Sequence, residues 1–100
     1  MKRVTGFLLP MLFLLPMSVY ADQWIQRPGL AKDIGAGADG SVWVIGTNPV
    51  GTAQDFGVHR WTGSTWEAID GGGVQISVGV PGLPWVVNSM GQIFQRVPVK

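Results

Sequence analysis

The chain contains no cysteine, and its 100 residues include only seven basic and six acidic side chains. The lack of cysteine excludes a disulfide scaffold, a cysteine-ligated zinc site and a lipid anchor attached through a thiol. The near balance of charge, without a cluster of basic residues, argues against a nucleic-acid-binding surface. Long apolar runs are missing after the first 20 residues, so no membrane span is expected in the mature chain.

The N-terminal segment has the features of a secretory signal. Two basic residues open the chain, and an apolar run over 7–19 is interrupted by two prolines. This run is too short and too broken for a transmembrane helix, and Ala21 is a small residue of the kind that signal peptidase requires. We therefore expect a signal peptide over 1–21, a mature domain over 22–100, and a secreted or periplasmic location.

Groups suited to catalysis are scarce. His59 is the only histidine and Glu67 the only glutamate. A histidine-activated nucleophile would have to use His59, yet neither a nucleophile elbow nor a cluster of metal ligands accompanies it. We therefore predict a protein that is not an enzyme and has no metal or cofactor.

The segment 35–40 reads GAGADG and matches the glycine pattern of a dinucleotide-binding loop. Such a loop must open a helix, whose N-terminus holds the pyrophosphate. The residues that follow, 41–45, are β-branched and aromatic and predict a strand instead. The pattern therefore indicates a turn of the fold.

Glycine and tryptophan are abundant, with 15 and 5 residues, and they recur in an internal repeat. Residues 24–46 align with 66–88 at an offset of 42, and the offset falls to 35 further along, so the first copy has seven extra residues near 48–54. The identical pairs are Trp24/Trp66, Gly29/Gly71, Ile34/Ile76, Gly37/Gly79, Gly40/Gly82, Trp43/Trp85 and Val44/Val86.

Each copy, about 24–65 and 66–98, predicts short strands separated by glycine turns. The expected strands are 31–36, 42–46, 56–61 and 65–69 in the first copy, and 75–80, 85–88 and 92–96 in the second. The segment 24–26 corresponds to the fourth strand of the first copy, so it is expected to complete the second copy. Four-stranded units of about 40 residues are typical of β-propeller blades.

Residues 33–46, which read DIGAGADGSVWVIG, resemble the tectonin β-propeller repeat, and the matching segment 76–94 continues the likeness. The resemblance extends over nearly all of 24–96. It implies antiparallel propeller blades in a secreted, non-enzymatic module that recognises carbohydrate or lipopolysaccharide as a lectin does. The alternative is a structural or protein-interaction propeller fragment without a glycan ligand.

Candidate ligand contacts are one aromatic ring that the second copy does not repeat, together with polar side chains near the loops. An apolar face with a few polar groups is the usual anatomy of a small-molecule site, although the same polar residues also favour turns. The candidates are Trp61, Arg60, Asn48, Asp55, Asn88 and Ser89.

Residues that recur in both copies are assigned to packing and turns. They are Trp24, Trp43, Trp66, Trp85, Gly37, Gly40, Gly79 and Gly82. Two blades are too few to close a propeller, so we expect a homo-oligomeric ring, a trimer with six blades, in which 24–26 of one chain pairs with 92–96 of the next. The alternative is a single, loosely folded relic of a longer repeat protein.

Overall fold

The computed structural model describes residues 22–99, so the expected signal peptide lies outside the described residues. The described chain forms seven strands and no helix, and it is therefore all-β, as the sequence predicts. The strands are β1 (Asp33–Ala36), β2 (Val42–Val50), β3 (Asp55–Trp61), β4 (Trp66–Gly73), β5 (Gln75–Val78), β6 (Pro84–Val87) and β7 (Ile93–Gln95). Among these residues there is no helix of the length and apolarity needed to cross a membrane.

The strands form two antiparallel sheets in which each strand pairs with the next one along the chain. The first sheet has the order β1-β2-β3-β4, and the second has the order β5-β6-β7. Short turns connect the strands because antiparallel neighbours need only a hairpin between them. Each sheet therefore arises from one continuous stretch of sequence.

The same tight turn occurs in both copies of the repeat. Gly40 and Gly82 have φ angles of +88° and +101°, a conformation that L-residues with a side chain rarely adopt. The N–H of Gly40 donates to the carbonyl of Gly37 at 3.0 Å, and the N–H of Gly82 donates to that of Gly79 at 2.6 Å. The GAGADG segment thus contains the end of strand β1 and a turn over 37–40 that leads into strand β2; the turn was predicted.

The seven extra residues of the first copy lengthen one hairpin. Strand β2 continues to Val50, beyond the expected end at residue 46, and its pairing with β3 is irregular between Ile45 and Pro49. The corresponding strand β6 has only four residues. The insertion therefore adds strand and turn at one end of the first sheet.

The N-terminal segment 24–26 is not part of a strand, and Trp24 is fully exposed. A strand needs a hydrogen-bonded partner, and the expected partner, β7, has all three of its residues exposed in this chain. The second sheet therefore has three strands within one chain, where the first has four.

The hydrophobic core lies between the two sheets. Trp43, Ile45 and Val58 of the first sheet pack against Ile76 and Val86 of the second. Alternate residues of a strand point to the same face, which places Trp43 and Ile45 together. Each buried side chain of this size contributes roughly 1.5–3 kcal/mol to stability.

The four repeated tryptophans differ in burial. Trp43 is 1% exposed, whereas its equivalent Trp85 is 46% exposed. Trp66 is half-buried and Trp24 is fully exposed. The difference arises because the second sheet covers Trp43, while no described residue forms a third sheet over Trp85.

Hydrogen bonds between the two sheets help to hold them together. The indole N–H of Trp43 donates to the carbonyl of Gly82 at 3.0 Å in a buried position. The carboxylate of Asp33 accepts from the backbone N–H of Ile76 at 2.7 Å. These contacts bring β1 beside β5, and the later strands of the two sheets leave a cleft between them.

Candidate functional site

A cleft of about 370 Å³ lies between the two sheets, and we call it the inter-sheet cleft. Its size is within the range of small-molecule sites in proteins. Both sheets contribute to its lining, which consists of Trp43, Val58, Ile69, Asp70, Gly71, Gly72, Pro84, Val86, Asn88, Phe94, Gln95 and Arg96.

The floor of the inter-sheet cleft is apolar. Trp43, Val58 and Val86 belong to the core and are buried. Phe94 lies directly opposite Val86 in the pairing of β6 with β7, and it is 55% exposed. An exposed aromatic ring beside a buried apolar floor offers a flat surface to a ligand.

A charged pair stands at the rim of the cleft. Nη1 of Arg96 lies 3.0 Å from Oδ1 of Asp70; the Arg96 side chain is partly exposed and the Asp70 side chain is largely exposed. The backbone N–H of Arg96 donates to the carbonyl of Pro84 at 2.9 Å, which fixes the position of the residue after β7. An exposed pair of this kind contributes at most about 1 kcal/mol to stability.

Asn88 is the one residue among the six sequence-predicted ligand contacts that lines the inter-sheet cleft. Its Oδ1 accepts from the backbone N–H groups of Met90 at 3.0 Å and Gln92 at 2.9 Å. Its Nδ2 donates to the side chain of Gln92 at 2.8 Å. The amide oxygen is therefore engaged in the turn between β6 and β7, and one N–H remains for a ligand.

Arg60 and Trp61 lie together at the end of β3, where they contact β4. Nε of Arg60 donates to Glu67 at 3.2 Å. The ring of Trp61 lies 4.9 Å from that of Trp66, with an angle of 60° between the planes. The indole N–H of Trp66 in turn donates to the carbonyl of Pro28 at 2.7 Å. Both candidates therefore take part in cross-strand contacts.

The other candidates lie elsewhere on the first sheet and the turn beside it. Oδ1 of Asn48 is 3.0 Å from Nε2 of His59. Asp55 accepts a hydrogen bond from the backbone N–H of Ser89 at 2.7 Å, which ties the long hairpin to the second sheet. Asp55 and Arg60 are five residues apart on β3, about 16 Å at the usual rise of a strand. The six candidates therefore do not converge on one site.

Sequence reasoning missed Asp70, Phe94 and Arg96, which carry the polar rim and the exposed ring of the cleft. A signal for them was present, because the repeat is broken at all three positions. The corresponding residues of the first copy are Pro28, His59 and Trp61. Most other aligned positions also differ between the copies, so this signal alone does not single out these three residues.

Within residues 22–99, no group of three or more histidine, aspartate or glutamate side chains is placed to hold a metal ion. No family model matches this chain. No curated protein matches it either.

Proposed function

We propose that the two sheets are tectonin-like propeller blades and that the protein is a secreted, non-enzymatic module that binds carbohydrate, including the sugars of lipopolysaccharide. The observation that carries this proposal is the combination of the exposed Phe94 ring with the Asp70–Arg96 pair at one cleft. The sequence features of a secretory signal support the location.

The lining of the inter-sheet cleft suits the two kinds of surface that a sugar presents. A pyranose ring has an apolar face of C–H groups, which can lie on the ring of Phe94. Its hydroxyl groups are both donors and acceptors, so Asp70 can accept from one hydroxyl while Arg96 donates to another. A few polar groups around an apolar surface fix the orientation of the ligand.

The chemistry of the cleft favours binding over hydrolysis. Most glycoside hydrolases use two carboxyl groups on either side of the bond that breaks. Among the described residues that line the inter-sheet cleft, Asp70 is the one with a carboxyl group. None of these lining residues is a histidine. A single carboxylate paired with arginine holds a hydroxyl but supplies no acid–base pair.

A glycan array tests the proposal. The purified protein is expected to show saturable binding that free sugar abolishes. Phe94→Ala and Arg96→Gln should each weaken that binding at least tenfold. Arg60→Gln is the matched control, because Arg60 pairs with Glu67 outside the cleft, and it should bind as the wild type does. Loss of binding in Arg60→Gln, with Phe94→Ala unaffected, would move the site to the end of β3.

The alternative function is a protein-interaction module without a glycan ligand. The observation that favours it is the apolar face of the second sheet, where Trp85 and Ile93 are exposed. Absence of competable sugar binding on the array would support this alternative and contradict the carbohydrate proposal.

A further inference from the structure

We infer that a second copy of this chain docks head to tail on the first, and that its Trp85 and Ile93 close over a groove on the first sheet to complete a second cleft. The inference rests on the equivalence of the two repeats and does not depend on carbohydrate binding. The partner is therefore another molecule of the same protein, which carries both surfaces of the contact.

The face of the second sheet that carries Trp85 is the repeat equivalent of a face that is already covered. Trp43 and Val58 are 1% and 5% exposed because they pack on the second sheet. Their equivalents Trp85 and Ile93 are 46% and 68% exposed. The same apolar residues therefore form an interface in one copy of the repeat and an open surface in the other.

The opposite face of the first sheet shows the reciprocal difference. Ile76 of the second sheet is 6% exposed beneath the first sheet, whereas its equivalent Ile34 is 63% exposed. A Cβ on Gly82 would contact the carboxylate of Asp39, while a Cβ on the equivalent Gly40 would meet no atom within 4 Å. The exposed face of the first sheet that carries Ile34 is thus the repeat equivalent of the face that the second sheet packs on the first.

A groove of about 500 Å³ on the first sheet corresponds to the inter-sheet cleft. We call it the outer groove; it is lined by 27–31, Ile34, Val44, His59 and Trp66, among others. Its residues 27–30 and Val44 are the repeat equivalents of 69–72 and Val86, which line the inter-sheet cleft.

The outer groove lacks the wall that Trp43 and Val58 provide in the inter-sheet cleft. The equivalent wall consists of Trp85 and Ile93, which lie on the far face of the second sheet. Because a single chain uses its second sheet to cover the first, these residues can reach the outer groove only from another copy. The groove is therefore a half-site that a second copy completes.

The repeat also predicts the hydrogen bond that orients the contact. Within one chain, the indole N–H of Trp43 donates to the carbonyl of Gly82 at 3.0 Å. The equivalent bond joins the indole N–H of the second copy's Trp85 to the carbonyl of Gly40. A buried indole N–H usually has such a partner. This contact uses two different surfaces, and contacts of this type close into rings when the rotation permits.

Light scattering on the purified protein tests the contact. We expect a mass above that of one chain, and a trimer if six sheets close a ring. Trp85→Arg and Ile34→Arg each place a charge on one of the two surfaces and should both give monomers. Both side chains are exposed in the single chain, so circular dichroism should retain the β-sheet spectrum. Val99→Arg alters an equally exposed apolar residue outside both surfaces and should leave the mass unchanged.

Mixing the two monomeric variants separates a head-to-tail contact from any other. The Ile34→Arg chain retains its Trp85 surface, and the Trp85→Arg chain retains its outer groove, so the mixture should form a 1:1 dimer that grows no further. A monomeric wild-type protein at high concentration would overturn the inference. An oligomeric wild type whose variants stay assembled, or fail to form the mixed dimer, would also overturn it.

Discussion

Asp33 and Ile76 join the first strands of the two sheets, β1 and β5, since the carboxylate of Asp33 accepts a hydrogen bond from the backbone N–H of Ile76 at 2.7 Å. Strands β1 and β5 belong to different sheets and share no backbone pairing. A side chain therefore supplies the acceptor that a neighbouring strand would otherwise provide. The bond is partly buried, so the N–H of Ile76 depends on it.

Removing this acceptor should destabilise the fold. Asp33→Ala leaves a partly buried N–H without a partner and is expected to cost about 1–3 kcal/mol. Asp33→Asn retains an oxygen that can accept the bond, so its cost should be below about 1 kcal/mol. Urea unfolding monitored by tryptophan fluorescence measures both. Equal losses in the two variants would show that charge, and not the acceptor, is what matters.

Truncation of the buried Trp43 should cost more stability than truncation of the half-buried Trp61. Trp43→Ala removes a ring that is 1% exposed, and we expect a loss of about 3–5 kcal/mol. Trp61→Ala removes the half-buried partner of Trp66, and its expected cost is about 1 kcal/mol. Chemical denaturation of both variants decides the matter, and a loss at Trp61 as large as that at Trp43 would assign Trp61 to the core.

The carboxyl of Asp39 should titrate below its ordinary range. The side-chain hydroxyl and then the backbone N–H of Ser41 donate to it, at 2.6 Å and 3.1 Å, and both bonds lower the pKa of Asp39. Ser41→Ala removes the stronger bond and should raise this pKa toward the ordinary value, as followed by NMR titration. Ser89→Ala, distant in sequence and bonded to Asp55 through its backbone, is the control and should leave the pKa of Asp39 unchanged.

The sign of the associated stability follows from the direction of the shift. Because the pKa of Asp39 is lower in the folded state, its contribution is fully present above the pKa of the unfolded chain. That contribution is lost as the pH falls through the folded-state pKa. The wild type should therefore be more stable than Ser41→Ala at neutral pH, and the difference in unfolding free energy should shrink as the pH falls through the folded-state pKa of Asp39. A difference that is absent at neutral pH and grows in acid would contradict this assignment.

Strand β7 should pair with residues 24–26 of another copy. In the first sheet Arg60 lies opposite Glu67, and the repeat then places Gln95 opposite Ile25 of the second molecule. The chain has no native cysteine, so Ile25→Cys with Gln95→Cys offers a clean test. We expect disulfide-linked oligomers on non-reducing gels, since opposite residues in a strand pair are within disulfide reach.

The control for this cross-link is Ile25→Cys combined with Thr62→Cys, because Thr62 lies in an exposed turn of the first sheet. That pair should remain mainly monomeric on the same gels. Linkage as efficient in the control as in the β7 pair would place residues 24–26 elsewhere.

Strand positions were predictable where the signal is local. Strand β6 begins at Pro84, within one residue of the predicted start at 85. Proline suits the first position of a strand because it has no N–H to donate within a ladder. The ends of β2 and β4 were not predictable to the residue. Both strands extend through irregular pairing with β3. Such irregular pairing depends on the packing of the long β2–β3 hairpin against adjacent strands, which local sequence does not specify.

The candidate site was only partly predictable. Asn88 was recognised as a candidate, but Asp70 and Arg96 were not, since they are far apart in sequence and meet only when the two sheets pack. The convergence of polar groups depends on the orientation of one sheet to the other, and no local pattern records that orientation.

The sequence by itself determined the all-β class, the two-copy repeat and the turns at Gly40 and Gly82, because backbone conformation and side-chain alternation depend on near neighbours. The tertiary structure alone decided which member of each repeated pair is buried. Trp43 and Trp85 stand in equivalent strands, yet one is buried and the other exposed. Burial depends on whether a second surface covers the side chain, and that is a property of the packed molecule.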